Sequence, residues 1–89
     1  MSDAEIPADL IRAKVDFYTA EQALADLAST ENIDPEQWKA AHDRLGDAAV
    51  AIHRHPALQA LAGPDRLKLD AAASAAAREQ LAAQDSAGG

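Results

Sequence analysis

Histidine is the residue type in this chain best suited to chemistry near neutral pH, and two of its three histidines, His53 and His55, lie in one short segment before Pro56. On a helix these two rings point roughly 200° away from each other, so they do not form a zinc-binding pair. We therefore expect them to be polar or cationic groups at a helix C-terminus, where they suit the helix dipole. We expect the third, His42, to be partly buried and hydrogen-bonded.

The carboxylates are numerous but dispersed along the chain. Asp43 and Asp47 share one face of a predicted helix, and Asp26, Glu31, Asp34 and Glu36 crowd the first predicted turn. A carboxylate pair used in acid–base catalysis needs burial or a close like charge to separate its pKa values, and no feature of the sequence requires burial here. No serine stands in a motif with a histidine, and no glycine-rich phosphate loop is present. We predict no catalytic residue, no metal site and no cofactor, and we expect that the chain is not an enzyme.

The net charge also argues against several classes of partner. It is −7, from 15 acidic and 8 basic residues in a chain of 89, which disfavours binding to nucleic acid or to an anionic membrane. A helix-turn-helix around Gly63 would present Arg66 and Lys68, but the alanine-rich segment that follows has almost no donors for bases. No stretch approaches the roughly 20 apolar residues of a membrane span, and no signal peptide is visible. We expect a cytoplasmic protein.

The elements that position these residues begin with a clear helix start at Ile33-Asp34-Pro35-Glu36-Gln37-Trp38. Asp34 is a favourable N-cap residue, and proline suits the first helical position that follows it. Ile33 and Trp38 occupy the two positions of a hydrophobic staple. We therefore assign structural roles to Ile33, Asp34 and Trp38. We expect Trp38 to be buried against Ile33 and the end of the preceding helix, near Leu24 or Leu27.

Two helices flank this start, and each carries large and small apolar residues at alternating spacings of three and four, the pattern of a helix–helix seam. We predict helices at about 7–28 and 35–54, joined by a polar turn that is short enough to make them antiparallel neighbours. The seam of the first helix is Ile6, Leu10, Ala13, Phe17, Ala20, Leu24 and Leu27. The seam of the second is Trp38, Ala41, Leu45, Ala48 and Ile52.

The remainder of the chain predicts a third long helix. Pro56 interrupts the second helix, residues 57–61 form a short helical turn, and Pro64 opens an alanine-rich helix at about 64–84. We predict a single domain over residues 1–84 and a disordered tail over 85–89. The fold class is all-α: an antiparallel helical hairpin with a third helix, as a three-helix bundle or as half of a dimeric four-helix-type bundle.

The core of such a domain is thin, because 24 of the 89 residues are alanine and alanine buries little area. A second apolar ridge on the first helix, Ile11, Val15 and Tyr18, is left over once the seam is used, although the third helix could also cover it. We predict that this ridge binds a partner helix or a second copy of the chain.

The sequence therefore favours a non-enzymatic protein–protein interaction module that self-associates, with a homodimer as the simplest form. Two alternatives remain open. One is an acidic inhibitor or regulator that binds a basic protein surface, with nucleic-acid mimicry as one form of it. The other is a small helical enzyme whose site assembles between subunits.

Overall fold

The computed structural model of the protein describes residues 6–88, with side chains described for residues 6–84. Its helices are α1 (Ala8–Ala28), α2 (Pro35–His53), α3 (Pro56–Gln59) and α4 (Gly63–Gly88). No strand occurs in this part of the chain, and the prediction of an all-α fold is confirmed. In the same residues, no helix combines the length and the apolar character that crossing a membrane requires.

The helix ends follow local chemistry. Asp34 caps α2, because its carboxylate Oδ1 accepts a hydrogen bond from the Glu36 amide at 2.9 Å. The end of α1 is closed by two hydroxyls, since Ser29 and Thr30 donate to backbone carbonyls of the preceding turn at 2.8 and 2.7 Å. Gly63, with φ of +60°, opens α4 in a conformation that residues with a Cβ atom rarely adopt.

The end of α4 differs from the prediction. Its backbone is helical to Gly88, beyond the predicted end at about residue 84, and Gly89 lies outside the described residues. The disordered tail over 85–89 stays a prediction. Residues 82–84 are two alanines and a glutamine, which favour helix and provide no stop signal. The first five residues of the predicted domain also lie outside the described range.

The helices form a shallow layer with α1 at its centre. α1 contacts both α2 and α4, whereas α3 bridges α2 and α4 at one end. The overall dimensions are 47 × 30 × 18 Å. The radius of gyration is 14.8 Å, against about 12 Å for a compact chain of this length. α4 therefore lies beside α1 instead of closing over both helices of the α1–α2 pair.

Few large side chains are fully buried in this arrangement. Leu10 and Leu58 are the only buried apolar residues larger than alanine among the described residues, and they pack with Ala73. Ile6, Ile52 and Leu69 lie around that cluster. The other buried apolar residues are alanines, namely Ala20, Ala41, Ala48 and Ala77.

The expected burial of Trp38 is wrong. Trp38 is 39% exposed and Ile33 is 43% exposed. The physical reason is that alanines fill the contact between α1 and α2, while α4 packs on another side of α1 and leaves the tryptophan edge uncovered. His42, which we expected to be partly buried, is exposed for the same reason.

Candidate functional site

His55 is held at both of its ring nitrogens. Its Nδ1 accepts a hydrogen bond from the Ala57 amide at 3.1 Å, which caps the short helix α3. Its Nε2 lies 2.8 Å from Oδ1 of Asp9 in the first turn of α1. Because Nδ1 accepts, it carries no proton, so Nε2 carries the proton and donates it to Asp9. The predicted role of His55 at a helix C-terminus is therefore wrong, since it caps the N-terminus of the next helix.

This arrangement leaves His55 without a free nitrogen for acid–base catalysis. A catalytic histidine that is oriented by a carboxylate keeps its second nitrogen for the nucleophile or substrate, whereas the second nitrogen of His55 is used by the backbone. The hydrogen bond from His55 also lowers the pKa of Asp9 below its usual value of 3.8. The pair therefore ties α1 to α3. His53 lies in the last turn of α2, as expected, and its ring is exposed.

A second polar pair was not expected from the sequence. Lys14 is only 8% exposed, and its Nζ lies 2.5 Å from Oδ1 of Asp70 on α4. The burial of Lys14 could have been found from its spacing. It comes four residues after Leu10 and three before Phe17, so it lies on the side of α1 that faces the core. The pair satisfies the buried ammonium group and links α1 to α4.

A groove runs between α2 and α4, with α1 as its floor. Its volume is about 350 Å³. Apolar side chains form most of the lining, and the Lys14–Asp70 pair, Arg66 and His53 supply its polar groups. The apolar lining residues are Phe17, Tyr18, Ala49, Ile52, Leu58 and Leu67.

The groove continues as an apolar surface towards the α1–α2 turn. Trp38, Leu45 and Ile52 are spaced by seven residues and therefore share one stripe of α2. Phe17 and Leu24 share one stripe of α1 in the same way. We call these side chains, together with Leu67 of α4, the open strip: Phe17, Leu24, Trp38, Leu45, Ile52 and Leu67. All six are partly or largely exposed, and Leu67 reaches 70%.

The predicted ridge lies beside α4. Ile11, Val15 and Tyr18 are all half-buried. The Arg78 guanidinium of α4 lies 5.2 Å from the centre of the Tyr18 ring, a cation–π contact that covers part of the ridge. Partner binding through the ridge stays a prediction. The open strip exposes more and larger apolar side chains.

A further groove, on another side of the α1–α2 pair, has a volume of about 520 Å³. Its lining is mainly alanine methyl groups, with Asp16, Arg44 and Asp47 as its charged residues. Thr19 supplies the hydroxyl of the lining, which includes no histidine. Among the described residues, no three histidine, aspartate or glutamate side chains lie together in a way that would hold a metal ion.

Comparison with known proteins finds no matching family model, no similar curated protein and no similar solved structure. The features of this molecule that bear on its function are therefore the exposed apolar surface and the charges around it.

Proposed function

We propose that this protein is a non-enzymatic helical interaction module that self-associates as a homodimer. The observation that carries the proposal is the open strip, in which six large apolar side chains of α1, α2 and α4 stay partly or largely exposed. Exposed apolar patches of this kind on small proteins are typical of protein–protein contact sites. In a dimer the α1–α2 pair, as an antiparallel hairpin, contributes to a four-helix-type bundle.

The surface area of the chain supports this proposal. Its accessible surface is 6243 Å², whereas a compact monomer of 9.3 kDa exposes about 5,000 Å². The surplus of about 1,200 Å² is larger than the roughly 800 Å² that each partner contributes to a standard interface. A second copy that binds through such an interface would therefore cover about two thirds of the surplus.

The composition of the core gives the same indication. Among the side chains described from residue 6 to 84, only Leu10 and Leu58 are full-sized buried apolar ones, and a domain of this size needs more burial, a partner, or another stabilising device. The described residues contain no cysteine, so disulfides do not provide it there. Association through the open strip adds the missing apolar burial.

The acidic inhibitor is the second candidate, because one specific feature favours it. Between Glu21 and Trp38 the chain has five carboxylates and no lysine or arginine. A basic protein surface would be attracted to this end of the molecule. An inhibitor of this kind would bind its partner as a monomer, with an affinity that falls steeply as salt rises.

Sedimentation velocity over a wide range of protein concentration tests the proposal. Leu67→Gln removes an apolar side chain from the open strip, and Val50→Gln makes a comparable change at an exposed apolar residue outside it. We expect Leu67→Gln to weaken the dimer and Val50→Gln to leave it unchanged, with both variants folded by circular dichroism. A wild-type protein that is monomeric at every concentration would refute self-association.

Val15→Glu separates the open strip from the predicted ridge. If the ridge forms the dimer contact, this variant dissociates the dimer while Leu67→Gln does not. The opposite pattern is expected from the open strip.

A further inference from the structure

We propose that the occupant of the open strip is the open strip of a second copy, turned end for end about a two-fold axis. Each Arg66 then lies against the acidic α1–α2 turn of the other copy, at Glu31. This inference rests on the proposed self-association and specifies its geometry. It follows from the charges at the two ends of the strip.

The end of the strip beside the α1–α2 turn is acidic. Four carboxylates occur between Asp26 and Trp38, without a lysine or arginine among them. Glu31 lies in the turn itself, between the end of α1 and the start of α2, and is exposed. An incoming surface therefore meets a carboxylate at this end of the strip.

The opposite end of the strip is basic. Arg66 lines the groove beside Leu67 and is half-buried. The residues described from 6 to 84 form no ion pair with it. Arg54 and Lys68 are further cations near this end. Asp65 is the one exposed carboxylate close to Arg66 in the chain. Lys14 is already neutralised by Asp70.

The two poles are far enough apart to act separately. Trp38 and Ile52 are 14 residues apart on α2, which corresponds to about 21 Å along the helix. That distance exceeds the Debye length of about 8 Å at physiological ionic strength. A partner that approaches in the same orientation therefore sets like charges against each other, whereas an end-for-end partner sets opposite charges together.

A two-fold axis also satisfies the requirement for a closed dimer. In an isologous interface the same patch serves both copies, so the patch must be complementary to itself. Leu45 lies midway between Trp38 and Ile52, and an axis near Leu45 exchanges the acidic end of one copy with the basic end of the other. The apolar residues then meet each other across the centre.

Charge reversal tests this geometry directly. Glu31→Lys and Arg66→Glu each convert two attractive contacts per dimer into repulsive ones, and we expect each to weaken dimerisation about tenfold at low salt. The double variant in one chain restores the contacts with reversed sign. We expect its dimer to approach wild-type affinity, and an equimolar mixture of the two single variants to form the heterodimer preferentially.

Glu79→Lys is the matched control, because it makes the same change in net charge. Glu79 comes nine residues after Asp70, which lines the groove, and therefore lies on the opposite side of α4. We expect it to change the dimer affinity less than Glu31→Lys. If circular dichroism shows that Arg66→Glu is unfolded, Arg66→Gln replaces it. We expect the dimer affinity of Arg66→Gln to lose only part of its dependence on salt.

The outcomes separate the two proposals. A monomeric wild type overturns self-association and this geometry together. A wild-type dimer that Glu31→Lys and Arg66→Glu leave unchanged, or single variants that form no preferential heterodimer, overturns the end-for-end arrangement and leaves self-association standing. Binding of a basic protein by a monomeric chain points to the inhibitor instead.

Discussion

Leu10→Ala probes the one cluster in which α1, α3 and α4 meet. Leu10 is fully buried and packs with Leu58 and Ala73. Burying a leucine side chain is worth about 1.5–3 kcal/mol, and the cavity left by its removal brings the usual cost to about 3–5 kcal/mol. A domain of 89 residues has a free energy of unfolding of about 4–13 kcal/mol in total. We therefore expect Leu10→Ala to remove a large part of the stability, or all of it.

Urea denaturation followed by circular dichroism measures this loss. All variants should be compared at one protein concentration, because the stability of a dimer depends on it. Val50→Ala is the matched control, since Val50 is half exposed and lies outside both the cluster and the open strip. We expect a change of at most about 0.5 kcal/mol for Val50→Ala. A Leu10→Ala protein as stable as this control would refute the assignment of the core.

Three further predictions concern the polar pairs. His55→Ala should destabilise the protein by about 1 kcal/mol through loss of the α3 cap, whereas His55→Asn, which keeps a capping acceptor, should cost less in the same urea assay. The pKa of the Asp9 carboxyl, measured by NMR, should lie below 3.8 and return to its ordinary value in His55→Ala. Because the folded-state pKa is depressed, the pair stabilises the protein at pH values above the unfolded-state pKa. That contribution is lost as the pH falls through the folded-state pKa. Asp70→Ala should lower the free energy of unfolding by about 1–3 kcal/mol, because it leaves a buried ammonium group unpaired. Lys14→Met removes the charge and keeps the bulk, so its effect on stability should be closer to neutral. Equal losses of stability in the two variants would contradict that reasoning.

The helices were predictable because their signals are local. Asp34 and Pro35 identify the start of α2 through the backbone groups of a single turn. The heptad spacing identifies which side of each helix is apolar. These signals depend on neighbours within a few residues, so they do not require knowledge of the tertiary arrangement.

The burial of Trp38 and the partners of His55 and Lys14 were not predictable in this way. A seam shows which face of a helix is apolar, but not which element covers it, and here alanines fill the contact that was expected to bury the indole. His55 and Lys14 bind carboxylates that are 46 and 56 residues away in the chain. Such pairs depend on where α3 and α4 pack, and the proline and glycine breaks between helices do not specify that.

The central claim is that a second copy covers the open strip, and Trp38 measures it directly because it is the only tryptophan. The experiment follows tryptophan emission and acrylamide quenching as the protein is diluted, with the mass determined in parallel by sedimentation. We expect the emission to shift to longer wavelength and the quenching to increase in step with conversion of dimer to monomer. A dimer in which Trp38 is quenched as readily as in the monomer, or a chain that is monomeric throughout, would contradict the claim.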